Sequence, residues 1–218
     1  MKDELGNTIV DLVTDGAELS LDLATESELI EAIPIFGTIV KAAKASISIR
    51  ERIFLKRIGT FLGNLTDVDP KLFSDFSERL DSDSEKEKFG ERLVTLIEQS
   101  DEKQKAGMIG ILFHRLLKGE ITKDQFDHLG FCITRIYLFD LFSLSHSLEN
   151  SNILDNSLGA SLAAYRLADS KFQRLNGPQP EDSEITGTVY SMNSWGRLVA
   201  ETVRQYTEDS IRRKAQSK

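Results

Sequence analysis

Polar and apolar positions recur with a helical period along most of this chain. Over residues 5 to 33 the apolar positions Leu5, Ile9, Leu12, Val13, Leu19, Leu21, Leu23, Leu29, Ile30 and Ile33, broken at Gly16 and Thr25, predict one or two short amphipathic helices. Thr25 with Glu28 three residues on is a capping-box pattern, so a helix starts there and meets Pro34, which kinks or ends it. Beyond Pro34 a polar stripe of Thr38, Lys41, Lys44, Ser48 and Arg52 faces Ile35, Phe36, Ile39, Val40, Ala43 and Ile47, the pattern of a long amphipathic helix. Gly59 and Gly63 loosen its end, and LTDVDP reads as a loop with Asp69 capping the next element.

Further helices are expected at Lys71 to Leu80, at Glu85 to Gln99, and after Asp101, which is expected to cap a mostly buried helix through Met108, Ile111, Phe113 and Leu117. That helix should end at Gly119, and Thr122 with Gln125 predicts a new capping box. The second arm of this helical hairpin is expected to run from Lys123 to about Ser147. After Glu149 come a small-residue helix (GASLAAYRLADS), a Pro/Gly loop, one clear strand pattern (ITGTVYSMN) and a last helix capped by Ser194. The expected fold is therefore mostly α: an irregular bundle of about eight helices with a small C-terminal β-hairpin, divided at 1–64, 65–149 and 150–218.

Composition narrows the class. A chain of 218 residues, 40% hydrophobic and 28% charged, has the make-up of a globular protein of one or two domains. A net charge of −8 argues against a surface coated in nucleic acid and leaves only a local basic patch. A single cysteine allows no internal disulfide, and the opening MKDELGNTIVDLV lacks the basic start and apolar run of a signal peptide, so an intracellular, bacterial setting is expected.

Signals for catalysis are few. His114, His128 and His146 are scattered, and only His128 with Cys132 has the i,i+4 spacing of two ligands on one helix face. There is no glycine-rich phosphate loop, nucleophile elbow or HExxH. Cys132 sits in an apolar run that would raise its thiol pKa, and the acidic tracts at 81–87 and 181–184 read as solvated loops. No enzyme, cofactor or metal is expected.

The stretch from Glu28 to Arg57 stands out because its charge changes sign across an apolar middle. Nine acids and one base lie between Lys2 and Glu31, whereas six bases and one acid lie between Lys41 and Arg57. Residues 32 to 49 would span roughly 27 Å as a helix, close to a bilayer core. Lys41 and Lys44 near the centre of a lone helix would each cost about 2.5 to 3.5 kcal/mol. In a ring of helices the balance differs: Thr38, Lys41, Lys44 and Ser48 would line a watery lumen, while Ile33, Ile35, Phe36, Ile39, Val40 and Ile47 met lipid. The competing readings are a helix packed on the hairpin of residues 105 to 147 and a helix seated in a partner's groove.

The C-terminal quarter looks like the helix, strand, turn, strand and helix that close many winged-helix modules. Residues 160 to 169 would then be the recognition-type helix and 172–175 with 188–192 the wing. Arg166, Lys171, Arg174 and Arg197 would contact phosphates, with Tyr165 available to stack on a base.

The apolar helix EAIPIFGTIVKAAKASISIRERIFLKR ahead of a helical body, with an end carrying YSMNSWGRLVAE, is similar in layout to bacterial abortive-infection and antiphage membrane effectors. The resemblance implies a non-enzymatic, homo-oligomeric protein that acts conditionally on membrane lipid as a pore or channel at the cytoplasmic side of the inner membrane. It also implies silence until a ligand such as an oligonucleotide meets the soluble part. The alternative is a soluble, cytoplasmic DNA-binding regulator or protein-docking adaptor of winged-helix type.

Overall fold

The computed structural model describes residues 48–65, 68–149, 153–174 and 186–216. Among these the chain is mostly helical, with helices α1 (Ile49–Leu62), α2 (Pro70–Glu78), α3 (Asp83–Gln99), α4 (Lys103–Leu117), α5 (Lys123–Arg135), α6 (Leu138–His146), α7 (Asn156–Ala163) and α8 (Ser194–Gln216). Strands β1 (Ile153–Leu154), β2 (Ala168–Arg174) and β3 (Thr186–Met192) form one antiparallel sheet in the order β1-β3-β2. The chain falls into two compact units that meet in sequence at Thr134 and Arg135.

The described part of the first unit is built on phenylalanine. Phe113 of α4 is fully buried, and five other rings surround it at centroid distances of 5.7 to 6.5 Å: Phe61 of α1, Phe73 and Phe76 of α2, Phe89 of α3 and Phe126 of α5. One side chain thus touches every other described helix of the unit. Each such aromatic pair adds about 0.5 to 1.5 kcal/mol beyond the area it buries.

Turn chemistry sets the helix ends much as the spacing predicts. Asp69 accepts from the Lys71 amide at 2.9 Å at the start of α2. Thr122 and Gln125 exchange reciprocal bonds of 2.8 and 3.2 Å ahead of α5. Gly119, at φ 73°, closes α4 while the Glu120 amide reaches back to the Arg115 carbonyl at 3.0 Å. Asp101 departs from expectation, because α4 has Glu102 at its N-cap with no side-chain bond and Asp101 instead holds Lys105 at 2.7 Å.

The long apolar arm expected from Lys123 to Ser147 is two helices. The chain breaks at Ile136 and Tyr137, where Tyr137 adopts ψ 138° and α6 begins anew. Ile133, Thr134 and Ile136 are β-branched, and the Thr134 hydroxyl donates to the Phe131 carbonyl at 2.8 Å, so the local sequence weakens the helix where it stops.

In the second unit, α7 leans on the sheet so closely that a Cβ at Gly159 would come within 2.2 Å of the Tyr190 side chain. The helix expected at 160–169 ends at Ala163. Arg166 takes φ 60°, its amide donates to the Ala163 carbonyl at 3.0 Å, and the Leu167 amide donates to the Leu162 carbonyl at 3.0 Å, a Schellman closure with arginine in the left-handed position. The next segment, ADSKFQR, has little strand propensity of its own and is extended because it pairs along its whole length with β3. The sheet exceeds the expected hairpin by one short strand, since Ile153 and Leu154 pair with Ser191 and Tyr190.

Candidate functional site

Of the predicted membrane and polar-stripe residues, Ile33, Ile35, Phe36, Thr38, Ile39, Val40, Lys41, Lys44 and Ile47 lie outside the described residues. Ser48 is exposed immediately before α1. Helix α1 itself changes character along its length. Ile49 and Ile53 are 78% and 47% exposed, whereas Leu55 and Ile58 are 5% and 2% exposed and Phe61 enters the phenylalanine core. Among the described residues no helix is long and apolar enough to cross a membrane.

One base of the basic flank already has structural work. Arg57 donates to the Glu98 carbonyl at 2.8 Å and the Asp101 carbonyl at 3.1 Å, satisfying one acceptor in the last turn of α3 and one in the α3–α4 turn. The Asp101 carboxylate in turn holds the ammonium of Lys105, a side chain only 2% exposed, which also reaches the Thr134 carbonyl at 3.4 Å. A continuous polar chain therefore runs from α1 through the α3–α4 turn to the last turn of α5.

The proposed nucleic-acid residues are only partly brought together. Arg166 is exposed in the turn after α7, Tyr165 beside it is half-buried, and Arg197 is exposed in the first turn of α8. Lys171 is exposed on β2, and position 174 pairs with Thr186 at the strand's end. Sequence spacing missed Asn193, which organises this corner. Its Nδ2 donates to the Arg166 carbonyl at 3.0 Å and to Asp169 Oδ1 at 3.2 Å, while its Oδ1 accepts from the Gly196 amide at 3.1 Å. Asn193, rather than Ser194, is the residue whose side chain caps α8.

A second feature invisible to spacing is a groove of about 520 Å³ between α3 and α5, lined by Lys88, Glu91, Arg92, Thr95, Leu96, Asp127 and Phe131. Arg92 meets Asp127 Oδ2 at 2.8 Å, and Asp127 Oδ1 is buried without a hydrogen-bond partner. Partial burial raises the Asp127 carboxyl above the ordinary aspartate range, and the Arg92 guanidinium opposes that rise. Phe131 is 48% exposed at the groove's edge.

His128 and Cys132 do approach, with Nε2 and Sγ 3.8 Å apart. Burial pushes the Cys132 thiol up to about 11, so it is protonated and a poor nucleophile near neutrality. Among the described residues no group of three potential ligands could hold a metal ion. No protein-family model, curated protein or solved structure matches the chain.

Proposed function

We propose that the chain is a non-enzymatic, oligomerising effector of bacterial antiphage defence that perturbs the inner membrane through residues 33 to 49 and is gated by a ligand such as an oligonucleotide on its soluble part. The observation that supports this reading most is the change of character within α1. Were residues 28 to 57 there only to complete a core, burial would continue toward the start of the helix; instead Phe54 is only half-buried, and Ile49 and Ile53 are exposed. The body thus grips the C-terminal half of α1 and leaves exposed the end that leads into the polarised stretch.

Liposome flotation with dye release tests the proposal. With oligonucleotides present, protein should float with anionic vesicles and release dye, and Ile39→Asp should abolish both, since a buried carboxylate costs about 3 kcal/mol at the centre of each inserted helix. Protein that stays in the soluble fraction at every lipid composition, with and without oligonucleotides, would sink it.

A soluble regulator or docking adaptor is the second reading, favoured by the β2–β3 hairpin with its exposed Lys171 and by the basic turn at Arg166. Its test is the triple variant Arg166→Ala, Lys171→Ala, Arg174→Ala. A lost, salt-dependent affinity for DNA supports it, and unchanged binding removes it.

A further inference from the structure

The groove between α3 and α5 sets charges of both signs beside an aromatic ring. Its lining carries two cations, Lys88 and Arg92, spaced i,i+4 on α3, and two anions, Glu91 and Asp127, beside the apolar Leu96 and the half-exposed ring of Phe131. Four charges of balanced sign do not attract a bare polyanion. They suit a ligand that presents an anionic group, N–H donors and a flat apolar face together. The Arg92 guanidinium is held from one side by Asp127 at 2.8 Å, yet its side chain is 57% exposed, so the fork is oriented while part of it stays open to solvent. An arginine fixed in this way by a carboxylate is preorganised for a phosphate oxygen.

We propose that this groove binds a nucleoside monophosphate or a single nucleotide unit of a larger ligand. The phosphate sits on Arg92 and Lys88, the base stacks on Phe131, and a base N–H donates to the Glu91 carboxylate. This rests on the gated-effector reading in one respect, that it places the gating ligand. The binding itself is independent of any membrane activity.

Equilibrium dialysis of the full-length protein in solution, with no vesicles present, tests the site with the four ribonucleoside monophosphates, inorganic phosphate and free phenylalanine. The expected result is retention of at least one nucleotide, with neither phosphate alone nor phenylalanine retained. Arg92→Ala and Arg92→Lys should each weaken retention at least tenfold, the second because an ammonium cannot reproduce the fork. Phe131→Ala should weaken it roughly 5- to 100-fold, the range for losing one base–aromatic stack. Arg92 and Phe131 are both substantially exposed, so circular dichroism and a cooperative melt will show that these variants fold, with Arg92→Ala melting lower because it leaves Asp127 without its ion-pair partner. No nucleotide retained at millimolar concentration, retention unchanged in Arg92→Ala and Phe131→Ala, or preferential retention of phenylalanine would each overturn the proposal. A protein that releases liposome dye but retains no nucleotide refutes the site and spares the effector reading. One that retains nucleotide but ignores vesicles does the reverse.

Discussion

Arg166 occupies a conformation that costs an L-residue about 1 to 2 kcal/mol and that glycine adopts freely. The side chain is exposed, and the bonds that fix the turn come from backbone groups and Asn193, none of which need the guanidinium. Arg166→Gly should therefore stabilise the protein by about 0.5 to 1 kcal/mol in chemical denaturation, despite loosening the unfolded chain. A loss of stability would show that the arginine side chain holds the turn. Cys132 gives a pH-dependent counterpart. Its folded value of about 11 lies above the ordinary 9.0, so the folded state holds the thiol proton more tightly than the unfolded chain does. Its contribution is intact below pH 9 and is lost as pH rises toward 11. Cys132→Ala should be less stable than the parent at about pH 8, because it leaves a cavity, and the gap should narrow by about pH 11. A gap that stays constant across that window would mean the thiol is not desolvated.

At the level of elements, the sequence is legible wherever the cause is local. The Thr122/Gln125 box, the Asp69 cap and the Gly119 stop depend on residues within one turn of each other, and the structure places all three as the spacing predicts. Expectation and structure part where a distant partner decides. Asp101 has the right side chain and position for a cap, but a buried ammonium one turn on takes it. Ala168 and Asp169 read as the end of a helix, but β3 recruits them into the strand expected only from residue 172. The Arg92–Asp127 pair and its groove are illegible for the same reason, since helical periodicity says which face is polar and not which helix it meets. The Asp101–Lys105 pair yields an ordered prediction. Asp101→Ala strands a buried ammonium and should cost about 1 to 3 kcal/mol. Lys105→Met removes the charge and keeps the volume, so it should cost less than Asp101→Ala. Urea titration of both variants checks the order, and the reverse order would mean that the lysine's bond to the Thr134 carbonyl matters more than its ion pair.

For the whole molecule, the mostly helical class and the small C-terminal sheet are legible because they arise from period and turn chemistry. The role of the polarised N-terminal stretch is not, because burial depends on what a helix meets. The described structure makes that question testable. Every ring around Phe113 among the described residues comes from residues 61 to 126, and the polar chain from Arg57 through Asp101 and Lys105 to Thr134 also lies downstream of residue 48. A chain beginning at Ser48 retains all of these contacts. It should fold cooperatively, melt within about 5 °C of the full-length protein, a shift that for a chain of this size corresponds to roughly 1 to 2 kcal/mol, and lose all liposome dye release. If the shortened chain instead unfolds or melts far lower, residues 1–47 complete the core and the membrane reading fails. If it folds and still releases dye, the membrane element lies elsewhere. Only a stable body without membrane activity is consistent with a stretch that acts outside the fold it is attached to.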